Sequence, residues 1–306
     1  MNESRYIWKN GELLEWEKAT THVLTHSLHY GSSVFEGIRA YETEKGPAIF
    51  KAKDHYDRLH ASAKAYHFKI PFSTDELIKG TQHLITENKL NSCYIRPLTY
   101  FGYNEMGIMP YKNPIETIIA AWEWGSYLGN DAIENGIRCK VSSWQKINQK
   151  MLPPHAKSSA NYANSILAKK EIQDQGYDEA ILLNKNQNVA EGPGENIFII
   201  KDNILKTPST DQDLLNGITA QTILQLAEDL GMKVTRTTLS LDDLLNADEL
   251  FLTGTAAEVT PVIELNDQKI ANGQRGEKTK ALQDLYFSIV KGQNADYSNW
   301  LTYMDQ

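Results

Sequence analysis

A ladder of short, turn-punctuated β segments in the second half of the chain constrains its fold more than any other feature. Glu179 to Leu183, Asn196 to Ile200, Ile204 to Thr207, Val234 to Leu239, Glu249 to Leu252 and Val259 to Leu265 read as strands, and turn-forming residues separate them. Strands this short and turn-linked predict a β-barrel-like core with helices around it. Three helical patterns accompany them. One covers about 158–175, with Ile166, Leu167 and Ile172 on its apolar side and Gly176 as its stop. Another covers about 218–230, where Ile223, Leu226, Ala227 and Leu230 recur at helical spacing. The last covers about 277–291, with Leu282, Leu285, Tyr286 and Ile289 inward.

The first half mixes strands and helices in an α+β order. Asn10-Gly11 between two apolar runs predicts a hairpin, since both residues tolerate positive φ. Val34 to Tyr41 reads as one strand, with Phe35, Gly37 and Arg39 on one face and Glu36 on the other. Asp54 is the expected cap of a helix to about His67, and a second helix covers about 75–90. In the strand Cys93 to Phe101, the side chains of Tyr94 and Arg96 alternate onto the same face. Thr117 to Trp124 is another strand, and the pattern breaks at Gly125 to Asp131. The chain of 306 residues is long enough for about two domains. Their boundary is expected near 125–136.

A net charge of −8 argues against a broad nucleic-acid or anionic-membrane surface. Two cysteines make no disulfide framework, and the start lacks a signal-peptide core. A cytoplasmic protein with neither a nucleic-acid nor a membrane partner is the expectation. HExxH and paired CxxC patterns are absent, so no metal is expected, and without GxSxG an α/β-hydrolase lacks support.

Several residues are candidates for chemistry, each with a plainer alternative. Lys157, at a corner before a helix, is either a solvated charge or a nucleophile at a cleft. Tyr94 and Arg96 form either a carboxylate claw or a sheet face paired to an acid. Asn216-Gly217-Ile218-Thr219 opens a helix and can seat an anion, or merely cap it. Thr253-Gly254-Thr255-Ala256-Ala257 follows a strand like a backbone nest. Glu191-Gly192-Pro193-Gly194-Glu195-Asn196 is an acidic turn in which a surface role suits one of the two glutamates. Pyridoxal phosphate chemistry asks for this combination: a lysine for the Schiff base, an acid for the pyridine nitrogen, and donors for the phosphate.

Taken with His29-Tyr30-Gly31-Ser32-Ser33-Val34-Phe35-Glu36-Gly37-Ile38-Arg39, Tyr94-Ile95-Arg96-Pro97 and Asn161-Tyr162, the chain resembles the branched-chain amino acid aminotransferases of the fold-type IV pyridoxal-phosphate class nearly end to end. The resemblance implies a small N-terminal α/β domain over 1–126, an interdomain loop over 127–136 and a larger C-terminal cofactor-binding domain over 137–306. It implies ping-pong transfer of amino groups from L-leucine, L-isoleucine and L-valine to 2-oxoglutarate. Its relatives within the fold type, D-amino acid aminotransferases and aminodeoxychorismate lyases, share the lysine and glutamate. The Tyr30 to Arg39 and Tyr94 to Pro97 stretches favour the branched-chain reading. A non-catalytic phosphate-ligand binding protein using Gly217-Ile218-Thr219 alone is the alternative from another class.

The same resemblance assigns roles. Lys157 would bind pyridoxal 5′-phosphate and move the proton, Glu191 would face the ring nitrogen, and Tyr162 the phenolic oxygen. Arg58, Gly217, Ile218, Thr219, Gly254 and Thr255 would hold the phosphate. Tyr94, Arg96 and the backbone of Thr255, Ala256 and Ala257 would take substrate carboxylates. Phe35, Gly37, Trp124 and Tyr127 would line the side-chain pocket. Tyr30 would reach it from a neighbouring subunit, so a homodimer would be the minimal active unit. Departures from the family's usual pattern are Ser158-Ser159-Ala160 after the lysine, Asn216, and Ala220-Gln221 after Thr219; these are expected to alter packing beside the cofactor.

Overall fold

Asn10 and Gly11 both adopt positive φ, 51° and 100°, and turn β1 (Tyr6–Lys9) back onto β2 (Glu12–Glu15). The computed structural model describes residues 2–125, 128–129 and 131–304. It divides into two compact units. One holds the chain up to Trp124, the segment Ala156–Ala160 and the chain from Ser288 onward; the other holds Gly125–His155 and Asn161–Phe287.

The first unit is built on an antiparallel sheet. Besides the hairpin it contains β3 (Ser33–Phe35), β4 (Ile38–Thr43), β5 (Gly46–Phe50), β6 (Cys93–Phe101), β7 (Ile115–Trp122) and a late strand, Leu301–Tyr303. The order is Leu301–Tyr303, β5, β4, β6, β7, β1, β2, with β3 beside β6. The helices are α1 (His26–Tyr30), α2 (Ala52–Ala65) and α3 (Thr74–Glu87). Tyr56, Leu59 and Ala63 of α2 and Leu77, Leu84 and Ile85 of α3 bury an apolar stripe with Trp8, Ile38, Ile95 and Ile119 of the sheet.

Two local expectations change here. Lys51, in the left-handed region, caps α2, and Asp54 lies inside the first turn. The Lys51 N–H donates to Trp300 O at 2.7 Å, and its ammonium lies 3.9 Å from the Trp300 ring centre, so tertiary contacts fix the helix start. The expected strand from Val34 to Tyr41 is two strands. Phe35 pairs with Leu98 and Ile38 with Ile95, leaving Glu36 and Gly37 between them, opposite the Arg96-Pro97 step. Pro97 has no N–H to give the ladder, so the strand breaks there, and only the Glu36 N–H reaches Pro97 O, at 2.9 Å.

The second unit contains α4 (Ala132–Asn135), β8 (Ile137–Val141), most of α5 (Ser159–Gln173), β9 (Glu179–Leu183), β10 (Val189–Glu191), β11 (Asn196–Lys201), β12 (Ile204–Pro208), α6 (Ile218–Asp229), β13 (Lys233–Thr237), α7 (Leu241–Leu245), β14 (Glu249–Gly254), β15 (Glu258–Leu265), β16 (Gln268–Lys269) and most of α8 (Glu277–Val290). Its sheet runs β10-β9-β8-β15-β14-β11-β12-β13, with β16 on β15. Ile137, Ile181, Ile197, Leu250, Leu252 and Val262 fill its core.

The apolar side expected for α5 holds at Ile172, which is buried, and fails at Ile166 and Leu167. Ile166 and Leu167 are 66% and 46% exposed, whereas Asn161, Ser165, Ala168 and Ile172 are buried. The buried stripe keeps helical spacing but is mostly small and polar, so hydrophobicity alone pointed to the wrong face. Among the described residues, no helix is long and apolar enough to cross a membrane.

Gly80 of α3 offers a test of packing against propensity. A Cβ there would lie 2.9 Å from the indole of buried Trp8. Alanine gains about 1 kcal/mol of helix propensity, but overpacking a core costs about 1–3 kcal/mol. Gly80→Ala is therefore expected to lower the thermal midpoint. Gly107→Ala, where a Cβ meets nothing within 4 Å, should leave it unchanged in the same scans.

Candidate active site

In the first unit, Lys157 is held from several sides. Its backbone N–H donates to Ser62 Oγ of α2 at 3.0 Å, and its carbonyl accepts from the Phe35 N–H at 3.0 Å. Ser158 bridges to Val34 of β3, and its hydroxyl meets Tyr66 Oη at 2.7 Å. Ser33 Oγ donates to Ser159 Oγ at 2.8 Å, and a Cβ on Gly31 would lie 3.2 Å from Ala160 Cβ. The unusual Ser158-Ser159-Ala160 run thus fastens the lysine to β3 and α2 through hydroxyls and close packing.

The Lys157 side chain keeps some solvent exposure but is densely surrounded by protein. Burial and the Arg58 guanidinium pull its pKa down from 10.5 to about 8, against the opposing pull of Glu36 and Tyr94. Arg58 is itself committed to Glu36: Nε donates to Oε1 at 2.7 Å and Nη2 to Oε2 at 2.8 Å. His55 Nδ1 lies 2.8 Å from the same Oε2. Burial alone would raise the Glu36 carboxyl, but Arg58 and His55 hold it well below the usual carboxylate range.

Around the lysine, the aromatic and basic residues expected from the sequence come together. Lys157 Nζ lies 5.0 Å and the Arg96 guanidinium 4.9 Å from the centre of the Phe35 ring. Arg96 Nη2 donates to Tyr94 Oη at 3.0 Å, and Trp124 meets the Tyr94 ring edge-on with centroids 4.5 Å apart. Arg96 Nε is buried with no hydrogen-bond partner among the described residues, a donor available to an anion. Gly37 serves this group differently from a simple pocket wall. A Cβ there would fall 2.1 Å from Tyr94 Oη, so the glycine makes room for the hydroxyl. Tyr30 is half exposed and donates to Met106 O at 3.0 Å. Tyr127 lies outside the described residues.

In the second unit, Glu191 ends β10 rather than standing in a surface turn. Both it and Glu195 are buried, which corrects the expectation that one is a surface residue. Glu191 Oε1 meets Lys146 Nζ at 2.5 Å. Its Oε2 accepts from the Leu215 N–H at 3.0 Å and from Asn196 Nδ2 at 3.2 Å. Asn196 Nδ2 also donates to Leu215 O at 2.8 Å, and a Cβ on Gly217 would lie 2.0 Å from Asn196 Oδ1. The carboxylate and the approach to α6 are therefore one hydrogen-bonded assembly.

Helix α6 begins at Ile218, with Gly217 as a cap that offers no side-chain acceptor and no acid in the first turn. Its N–H groups and the buried Thr219 leave a seat for an anion. Asn216 accepts from Arg236 Nη2 at 3.0 Å. Thr255, Ala256 and Ala257 form the turn from β14 to β15, and Gly254 backs onto Gly194 O. Thr253 Oγ1 is buried without a partner among the described residues. Tyr162 is half-buried in the first turn of α5. Burial, with the Glu179 charge, pushes the Glu195 carboxyl upward.

Glu36, His55, Lys146 and Asn196 carry these arrangements, yet no sequence signal assigned them a role. Glu36, His55 and Lys146 act through partners distant in sequence, as in the pairs Glu36–Arg58 and Lys146–Glu191, while Asn196 ties nearby Glu191 to Leu215.

The sequence pattern of the family described as Amino-transferase class IV matches residues 33–265. The chain belongs to the class IV aminotransferases. It is 46% identical over 296 residues to a branched-chain-amino-acid aminotransferase of Pseudomonas aeruginosa, covering 97% of this chain and 96% of the relative. It is 44% identical to the Escherichia coli K12 protein of that name, covering 98% of each. Among solved structures, the fold matches an E. coli branched-chain amino acid aminotransferase with a TM-score of 0.97 and 43% identity, over 99% of this chain and 100% of the other. It matches the branched-chain amino acid aminotransferase of Thermobaculum terrenum, solved in its PLP-form, with a TM-score of 0.93 and 33% identity, over 100% of both chains. The fold is that of the fold-type IV aminotransferases.

The lysine's environment predicts a titration. In cofactor-free protein, labelling of Lys157 by an amine-reactive acylating reagent is expected to be half-maximal near pH 8. Arg58→Met should move that midpoint up, and Glu36→Gln should move it down, because each removes a charge of opposite sign. The unfolded lysine stays protonated to about its ordinary 10.5, so the unfolded chain holds more protons across the window from about 8 to 10.5. Stability from this residue therefore rises with pH through that window, and Lys157→Met is expected to abolish the rise in pH-dependent unfolding.

Proposed function

We infer that this class IV aminotransferase exchanges amino groups between L-leucine, L-isoleucine or L-valine and 2-oxoglutarate with pyridoxal 5′-phosphate as its cofactor. The observation that carries the chemistry is Lys157: anchored at both backbone groups and, with its pKa lowered to about 8, readier than an ordinary lysine to give up its proton. The residues fit the cofactor. There is a lysine of lowered pKa, a buried carboxylate and a helix start without an acceptor side chain.

Pyridoxal phosphate, when bound, supplies a carbonyl that captures the amino group and a ring that spreads the charge left at the substrate's Cα. The roles of the chain's own residues are part of the proposal. Lys157 would hold the cofactor and, once released by substrate, its neutral amine would take the Cα proton and return it at the cofactor's C4′ carbon. The Glu191 carboxylate accepts the ring N–H, and Tyr162 donates to the phenolic oxygen. Arg58, the N–H groups of Gly217, Ile218 and Thr219, the Thr219 hydroxyl, Gly254 and Thr255 bind the phosphate. Tyr94, Arg96 and the N–H groups of Thr255 to Ala257 orient carboxylates. Phe35 and Trp124 enclose the aliphatic side chain, and Gly37 keeps Tyr94 in place.

The domain limits inferred from the sequence, 1–126, 127–136 and 137–306, stay part of this proposal. So does the homodimer. Val23, Leu28, Tyr30, Ile108, Met109 and Tyr111 are large apolar or aromatic residues exposed in a single chain. A second copy seated on them would remove that surface from water and bring its Tyr30 to the site.

Borohydride reduction of the yellow protein, followed by peptide mapping, is expected to fix the cofactor on Lys157; attachment elsewhere overturns the assignment. Leucine with 2-oxoglutarate should turn over, and D-alanine should not. Arg96→Ala should lower kcat/KM for glutamate about 10–100-fold, as expected for a lost charged hydrogen bond, and lower that for leucine less. Equal losses would remove Arg96 from any selective role for the second carboxylate.

A further inference from the structure

Lys146 is a charged partner of Glu191 to which the proposed mechanism gives no role. Its ammonium lies 2.5 Å from Glu191 Oε1, and both side chains are nearly sealed from solvent, at 8% and 7% exposure. The loop carrying it is fixed at many points. The Lys146 N–H donates to Leu183 O of β9 at 2.8 Å. Ser142 Oγ and the Ser143 N–H both donate to Glu171 of α5, at 2.5 and 3.0 Å. Asn164 of the same helix donates to Gln145 O at 3.0 Å and accepts from the Ile147 N–H at 3.3 Å. The cation is thus delivered to one oxygen of the carboxylate by a braced loop. The other oxygen is held independently by Asn196 and the Leu215 N–H.

We propose that Lys146 is a positioning residue that balances the charge of Glu191 and so limits how tightly Glu191 grips the proton on the cofactor's ring nitrogen. The proposal rests on the reading that Glu191 faces that nitrogen. Two cations then share one anion. Attraction within a buried pair is several-fold stronger than in water, so the ammonium competes with a protonated ring for the same carboxylate. Orientation of Glu191 does not need Lys146, because two hydrogen bonds on Oε2 remain without it. What Lys146 adds is charge. Without it, the cofactor-free protein carries an uncompensated buried carboxylate, and a protonated ring nitrogen becomes the partner that relieves it. The ring nitrogen then contributes more to binding than it does in the parent protein.

The test compares pyridoxal 5′-phosphate with 1-deazapyridoxal 5′-phosphate, which has carbon in place of the ring nitrogen. Dissociation constants for both are measured on the full chain after cofactor exchange, and their ratio isolates the nitrogen. Lys146→Met is expected to raise the preference for the nitrogen-containing cofactor about tenfold, the scale of a modest coupling between close buried charges. Lys146→Gln, which keeps a donor but no charge, should move the ratio the same way and provides the measurement if the methionine variant does not fold. Lys146→Arg should leave it near the parent value. A ratio that stays constant in the neutral variants while both affinities fall means only structural support, and a ratio that drops means Lys146 helps the grip; either overturns the proposal. Glu191→Gln separates this from its premise. If that variant retains the parent preference, the assignment of Glu191 to the ring nitrogen fails. If it loses the preference while the neutral Lys146 variants match the parent, only the role of Lys146 fails.

Discussion

Glu36 is a fully buried carboxylate, and the first unit is arranged to keep it charged. An isolated buried charge is among the least tolerable groups in a protein, so its partners have to be in place. Arg58 supplies two parallel hydrogen bonds and His55 a third. The position exists because the strand breaks opposite Pro97 and leaves Glu36 and Gly37 between β3 and β4. The same break puts Gly37 under the Tyr94 hydroxyl. Arg58, fixed by Glu36, is the foremost charge lowering the Lys157 pKa. A missing N–H on one proline thus leads, through a carboxylate and a guanidinium, to the readiness of an amine to give up its proton.

The second unit uses a related device. Glu191 is also buried and met by a cation, but a lysine contacts it at one oxygen, whereas Arg58 grips Glu36 at both. A guanidinium fork makes a pair meant to stay closed, and a single ammonium contact leaves lone pairs for a further partner. The first arrangement fixes the guanidinium in place, and the second leaves the carboxylate itself able to meet a ligand. Asn196 joins the carboxylate to the stretch leading into α6, so a shift of either is felt by the other.

Much of this was legible in the sequence where the signal is local. The alternation in Cys93 to Phe101 put Tyr94 and Arg96 on one face, and the structure joins them by a hydrogen bond. Gly217 before an amphipathic run marked the start of α6. Signals failed where a distant contact decides. Lys51 displaced Asp54 as a cap because of Trp300. Ile166 and Leu167 face outward because α5 buries small and polar residues instead. Glu36 and Lys146 looked like ordinary charges, since nothing near them in sequence names their partners. The Ser158-Ser159-Ala160 run read as a departure from the family's pattern; its hydroxyls make the contacts that fasten the lysine.

The strand Leu301–Tyr303 closes one edge of the first unit against β5, and Trp300 takes the N–H of Lys51 at the start of α2. All of the second unit lies between these partners in the chain. Synthesis therefore imposes an order. The second unit is complete once Phe287 has emerged, while the first must wait with β5 as an open edge, able to pair with another nascent chain. The part of the protein made first is the part that finishes last, and its long-range closure makes it the slower to fold.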